Sequence, residues 1–174
     1  MGKTPVNEIK CTFLSKSENE SLARSIISGF MLPLDPDVEE LADIRCAVSE
    51  AVTNCIVHAY RGGSGMITLC AKYFDDRTLK ITISDRGCGI EDVAKARTPL
   101  FTTCPDEDRC GMGFSIMESF SDRLKVYSKP GRGTRVVIRR KLSGRRGSSG
   151  RRPSSPATNA RSVPCPLPVV AKLP

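Results

Sequence analysis

The stretch "SEAVTNCIVHAY", Ser49 to Tyr60, reads as the end of a helix with one apolar side. It also carries Glu50, Asn54 and His58, the single histidine of the chain, at intervals of four residues. Four residues are about one helical turn, so the three side chains line one edge of the helix. Taken alone, such an edge is most often a solvated stripe on a surface helix. The rest of the chain changes that balance.

Running back from this stretch, the helix extends to about Asp37, with Leu41, Ile44, Val48, Ala51 and Cys55 as its apolar stripe. "LPLDPD" ahead of it is a breaker. The "SENE" from Ser17 has the form of a capping box, opening a helix with Leu22, Ile26 and Phe30 on one face. "EIKCTFL" alternates as a strand. Running forward, "RGGSG" is a turn, and "MITLCAKYF" and "LKITISD" alternate as two strands of a hairpin around Asp75–Thr78. "GFSIMESFSD" is helical, with Ile116, Met117 and Phe120 inward. "RLKVYSK", a "PGRG" turn and "TRVVIRRK" close the domain as a second hairpin. Helices mixed with adjacent hairpin strands predict an α+β sandwich, helices on one face of a mostly antiparallel sheet. After Arg97 the segment "TPLFTTCPDEDRCGMG" loses periodicity, and a loop of that length in a compact domain is usually functional, often a lid.

Composition narrows the class. Of 174 residues 39% are hydrophobic, enough for a core, and no apolar run approaches the ~18–20 residues of a membrane span. The N-terminus lacks the charged-then-apolar pattern of an export signal, so a cytoplasmic protein is expected. Eight cysteines without a C-x-x-C pair read as reduced, mostly buried thiols. With one histidine they argue against structural zinc. The net charge of +8 points first to nucleic acid. Six basic residues and no acid lie from Leu142 onward, leaving 21 basic against 19 acidic residues elsewhere. Residues 1–142 therefore form a nearly neutral domain, for which no direct nucleic-acid contact is expected. Residues 143–174, rich in Ser, Gly, Pro and Arg, are expected to be a disordered tail.

Three further motifs carry chemistry. "SDRGCGI" ends a strand with Asp85, followed by Gly87 and Gly89. A carboxylate there accepts from an amine edge, and glycines let backbone approach a flat ligand, although strand-end glycines are also common in plain turns. "RCGMGFS" sets Gly111 and Gly113 at a helix start, where backbone N–H groups suit phosphates. It lacks the third glycine of a dinucleotide fingerprint, and the chain holds no G-x-x-x-x-G-K-[ST] loop. "GRGT", ending at Thr134, is a hairpin turn.

The order of these signals resembles the GHKL ATPase superfamily, over Glu50 to Thr134. Within it, "SEAVTNCIVHAY", "RTPLFTT" and "GMGFSIMESF" resemble the anti-sigma serine kinases of spore-forming bacteria, over roughly residues 8–141. The chain departs from that pattern in its tail and at Cys104, where a basic residue would follow Thr102 and Thr103. The resemblance implies a two-layer α/β sandwich of the Bergerat type that binds ATP and Mg²⁺. It implies Asn54 as the Mg²⁺ ligand and Glu50 as general base toward an incoming serine. Asp85 would accept from the adenine amino group, with Gly87, Gly89 and Thr134 around the base. Thr102, Thr103, Gly111 and Gly113 would face phosphates, and Arg109 the γ-phosphate charge. The implied partners are a sporulation sigma factor of the sigma F kind, held by a homodimer, and a small anti-anti-sigma protein phosphorylated on serine. Arg24 and Thr53 would touch partners. His58 receives no role. A nucleotide-gated binding module without kinase activity and a general-stress anti-sigma kinase remain as alternatives. A sensor histidine kinase is disfavoured, because no helical segment with a phospho-acceptor histidine precedes the domain.

Overall fold

Alternation of apolar and polar residues in five segments builds the sheet. The computed structural model describes residues 3–60, 63–98 and 112–143. Its strands are β1 (Asn7–Leu14), β2 (Met66–Tyr73), β3 (Thr78–Ser84), β4 (Arg123–Lys129) and β5 (Gly133–Lys141). They form one sheet in the order β1-β2-β3-β5-β4, every neighbouring pair antiparallel. Both hairpins expected from the sequence are present. The β2–β3 turn is closed by Arg77 in the left-handed region (φ 61°), whose guanidinium donates to the carbonyls of Leu34 and Leu142.

Helices α1 (Glu18–Met31), α2 (Val38–Asn54), α3 (Val93–Ala96) and α4 (Gly113–Ser119) complete the α+β sandwich. Ile67, Leu69, Ala71, Leu79, Ile81, Ile83, Val136 and Ile138 of the sheet meet Ala23, Ile27, Met31, Ile44, Val48, Ala51 and Met117 of the helices in one core. Burying a side chain of this size contributes about 1.5–3 kcal/mol, so this face fixes the register of every strand.

Three local expectations are corrected. The box at Ser17 does not form: Ser17 already has helical angles and no side-chain cap bond, and Glu20 is drawn instead to the Ser49 hydroxyl. The buried stripe of α1 is Ala23, Ile27 and Met31, one residue on from the expected one, leaving Leu22 exposed and Ile26 and Phe30 half-buried. The long helix does not reach Tyr60 as a regular α-helix; it ends at Asn54, and Cys55–Ala59 continue as a π-helical turn.

The capping box that does form opens α2. Asp37 Oδ1 accepts from Glu40 N (2.7 Å), and the Glu40 carboxylate accepts from Asp37 N (3.2 Å). Glu40, 5% exposed, also accepts from Ser143 N (2.6 Å) and Ser143 Oγ (2.7 Å). Burial would raise its pKa, but the Ser143 and Asp37 hydrogen bonds and the Arg140 charge outweigh it and hold the carboxyl below its ordinary value.

Candidate functional site

The site grows from the place where α2 changes pitch. A π turn advances by i→i+5, so His58 falls out of step with the Glu50–Asn54 edge. The same turn offers carbonyls to the loop after β3: Cys88 N donates to Ala59 O (2.7 Å) and the Cys88 thiol to His58 O (3.1 Å). The contact leaves no room for a side chain at Gly87, whose Cβ would stand 2.1 Å from Ala59 O. Gly89 sits at φ 71°, where L side chains are strained.

Asp85 lies at the floor, 7% exposed. Its Oδ1 accepts from Gly87 N (2.8 Å) and Thr134 N (3.2 Å), and its Oδ2 accepts from the Cys55 thiol (3.5 Å). Burial, then the Asp85 charge, pushes the Cys55 thiol well above its ordinary pKa, so it stays protonated and able to donate. The Thr134 side chain turns to Ser128 (Oγ1 to Oγ 2.9 Å), and Ser128 also donates to Gly133 O (3.1 Å) and accepts from Ile90 N (2.8 Å). Ser128 therefore joins both glycine turns.

The other half faces α4. A Cβ on Gly113 would stand 3.0 Å from Glu50 Oε2 and 3.4–3.5 Å from the Asn54 amide. The helix start thus rests directly on the carboxylate and amide that α2 presents one turn apart. Cys55 and Asn54 are sequence neighbours, so the end of α2 joins this half to the Asp85 half. The donor set fits a small hard cation: a carboxylate and an amide oxygen lie side by side. Among the described residues no group of three or more His, Cys, Asp or Glu could hold a metal by itself. An ion here would be completed by ligand oxygens and water.

Arg24 lies apart from both halves on α1. Its Nε is 2.9 Å from Glu20 Oε1, at ion-pair distance without hydrogen-bond alignment, and Glu20 accepts from Ser49, the neighbour of Glu50. Thr53 is half-buried on α2. Thr102, Thr103, Arg109 and Gly111 lie outside the described residues, as does the tail beyond Ser143. The sequence reading missed three participants. Cys55 looked like a member of the apolar stripe and gave no signal. Ser128 did give one, as a polar residue at an inward position of an alternating strand. Glu20 was masked by its place in an apparent capping box.

Residues 13–140 match the family model of the histidine kinase-like ATPase domain. Curated relatives named anti-sigma F factor align over nearly their whole length. That of Clostridium acetobutylicum is 48% identical over 137 residues, covering 79% of this chain and 95% of the relative. That of Caldanaerobacter subterraneus subsp. tengcongensis is 54% identical over 130 residues, covering 75% and 90%. The chain therefore belongs to the anti-sigma F factor family of the GHKL superfamily. Among solved structures, the RsbU and RsbW domains of Rv1364c from Mycobacterium tuberculosis share the fold, with a TM-score of 0.59 and 19% identity over 79% of this chain and 33% of that one. No helix of the described residues is long and apolar enough to cross a membrane.

Proposed function

We propose that the chain is an ATP-dependent serine protein kinase of the cytoplasm that also sequesters a sigma factor, with residues 1–142 as the active domain. The observation that carries this reading is the seating of Gly113 against Glu50 and Asn54, which sets a carboxylate and an amide beside the start of α4. Asp85 reads the adenine amino group with Oδ2, since Oδ1 is held by two backbone N–H groups. That arrangement favours adenine over guanine. Gly87, Gly89 and Thr134 shape the base pocket around it. Gly113 offers an amide donor to the phosphates, and the resemblance adds Gly111, Thr102, Thr103 and Arg109 to the same role.

In phosphoryl transfer the Glu50 carboxylate takes the proton of the substrate serine hydroxyl. The hydroxyl oxygen attacks the γ-phosphorus, the bond to the β-phosphate oxygen breaks, and ADP leaves. Asn54 would hold Mg²⁺, which supplies charge neutralisation of the phosphates. The family's name supports a sigma factor of the sigma F kind as the bound partner. The serine substrate is then a small anti-anti-sigma protein, and the working form a homodimer. Arg24 and Thr53, on α1 and α2, supply partner contacts, with Arg24 oriented through Glu20.

The test is a mass measurement of a candidate anti-anti-sigma protein after incubation with this chain, Mg²⁺ and ATP. One phosphoryl group on a serine, absent with Glu50→Gln, is expected. No modification while ATP still binds would replace the kinase by a nucleotide-gated sigma-binding module.

A further inference from the structure

Among the described residues, the helices cover one face of the sheet and leave the other open. Strand alternation puts Lys80 of β3, Arg123 and Lys125 of β4, and Arg135 and Arg139 of β5 on that open face. The register aligns them. Lys72, Lys80, Arg139 and Arg123 stand directly opposite one another on the successive strands β2, β3, β5 and β4. Neighbouring strands are about 4.8 Å apart, so these are four cations in a line. Like charges directly opposite destabilise a sheet. Nothing in the core calls for them there.

Lys72 is paired with Glu8 (2.7 Å). The other three of the line, with Lys125 and Arg135, have no side-chain hydrogen bond or ion pair among the described residues. Tyr127, 54% exposed, stands on the same face directly opposite Arg135. These residues line a shallow hollow of about 380 Å³.

Charge complementarity calls for an anionic occupant. A second copy of this face would set cations against cations. Three of the five unpaired cations are arginines, whose forked donors match phosphate. An exposed aromatic among cations is a stacking platform for a base, which a carboxylate-rich peptide does not need. The sequence after β5 carries six more basic residues and no acid. We infer that the open sheet face docks single-stranded nucleic acid, with phosphates along Lys80, Arg139 and Arg123 and a base on Tyr127. The surface lies across the sheet from α2 and is independent of the nucleotide site.

The experiment is fluorescence anisotropy of a short fluorescein-labelled oligothymidylate and its oligouridylate counterpart with the full chain, over about 50–200 mM salt. Binding is expected, and the Arg123→Gln/Arg139→Gln double variant should lower the salt slope by about 1.4, at about 0.7 per cation. Tyr127→Ala should weaken binding about 5- to 150-fold. All three changes are at exposed positions, and a Tm no lower than the parent's confirms that each variant folds. A full-length variant with Arg145, Arg146, Arg151 and Arg152 changed to Gln separates the tail, and it should keep the dependence on the face. No binding at low salt overturns the inference. So does binding that the tail variant abolishes while the face variants leave it intact. Displacement by polyglutamate at equal charge, with Tyr127→Ala silent, would assign the face to an acidic protein instead.

Discussion

The thiol of Cys55 lies 3.5 Å from Oδ2 of Asp85, so the residue after Asn54 touches the carboxylate on the far side of the site. Asp85→Asn keeps an oxygen for the Gly87 and Thr134 amides but turns an NH₂ toward Cys55 and, on the proposed reading, toward the adenine edge. ATP affinity should fall by about 1.5–3 kcal/mol, roughly 10- to 150-fold, by titration calorimetry. The Tm should move little by comparison.

On the proposed reading, Glu50→Gln removes the base and leaves Asn54 in place. Nucleotide affinity should stay within a few-fold of the parent, while phosphoryl transfer drops about 10²- to 10⁴-fold. Single-turnover kinetics beside equilibrium binding would show it. Equal loss of both would mean that Glu50 holds nucleotide rather than abstracting a proton.

Gly113→Ala separates the site from the fold. At a helix start alanine is a better helix former than glycine, by up to about 1 kcal/mol, so stability should hold or rise. The new methyl would press on Glu50 Oε2 and the Asn54 amide, at 3.0 and 3.4–3.5 Å. Phosphoryl transfer should therefore fall at least about tenfold, because groups that must hold a near-attack geometry are displaced. Gly87→Ala should do the reverse. Its Cβ would meet Ala59 O at 2.1 Å, and urea unfolding should show a loss of about 2 kcal/mol or more.

Glu40 gives a pH dependence. Its folded pKa lies below the ordinary 4.5, so its contribution to stability is present above that value and lost as pH falls through the folded pKa. Urea midpoints from pH 6 down to about 3 should drop more steeply for the parent than for Glu40→Gln. At neutral pH that variant should be less stable by about 1–2 kcal/mol.

Much of this molecule was legible before any coordinates. Both hairpins follow from period-2 alternation around strong turn residues, and the starts of α1, α2 and α4 fall close to where periodicity places them. The π turn was not legible, because "CIVHA" satisfies an α-helical pattern as well as any neighbour; the hydrogen bonds from Cys88 favour the wider turn, and these come from 30 residues away. The capping box was assigned to Ser17 as well as being available at Asp37, since both have a glutamate three residues on. Tertiary partners chose between them: Glu20 meets Ser49, whereas Glu40 meets Asp37 and Ser143. Glu50 and Asn54 stood out as polar residues on an apolar-faced helix. Cys55 could not, because its value lies in touching Asp85, a contact that local patterning does not encode.

The strand order has a consequence for synthesis on the ribosome. β3 gains its second neighbour only when β5 has emerged, and the start of α2 is closed by Ser143, 103 residues downstream of Glu40. Asp85 likewise waits for the Thr134 amide. A nascent chain that ends before β5 therefore holds all four helices, but only β1, β2 and β3 can pair, β4 has no strand beside it, and Asp85 lacks one of its two backbone donors. The Asp85 half of the site is completed only once β5 has been made, and a product truncated before β5 should not bind nucleotide as the folded domain does.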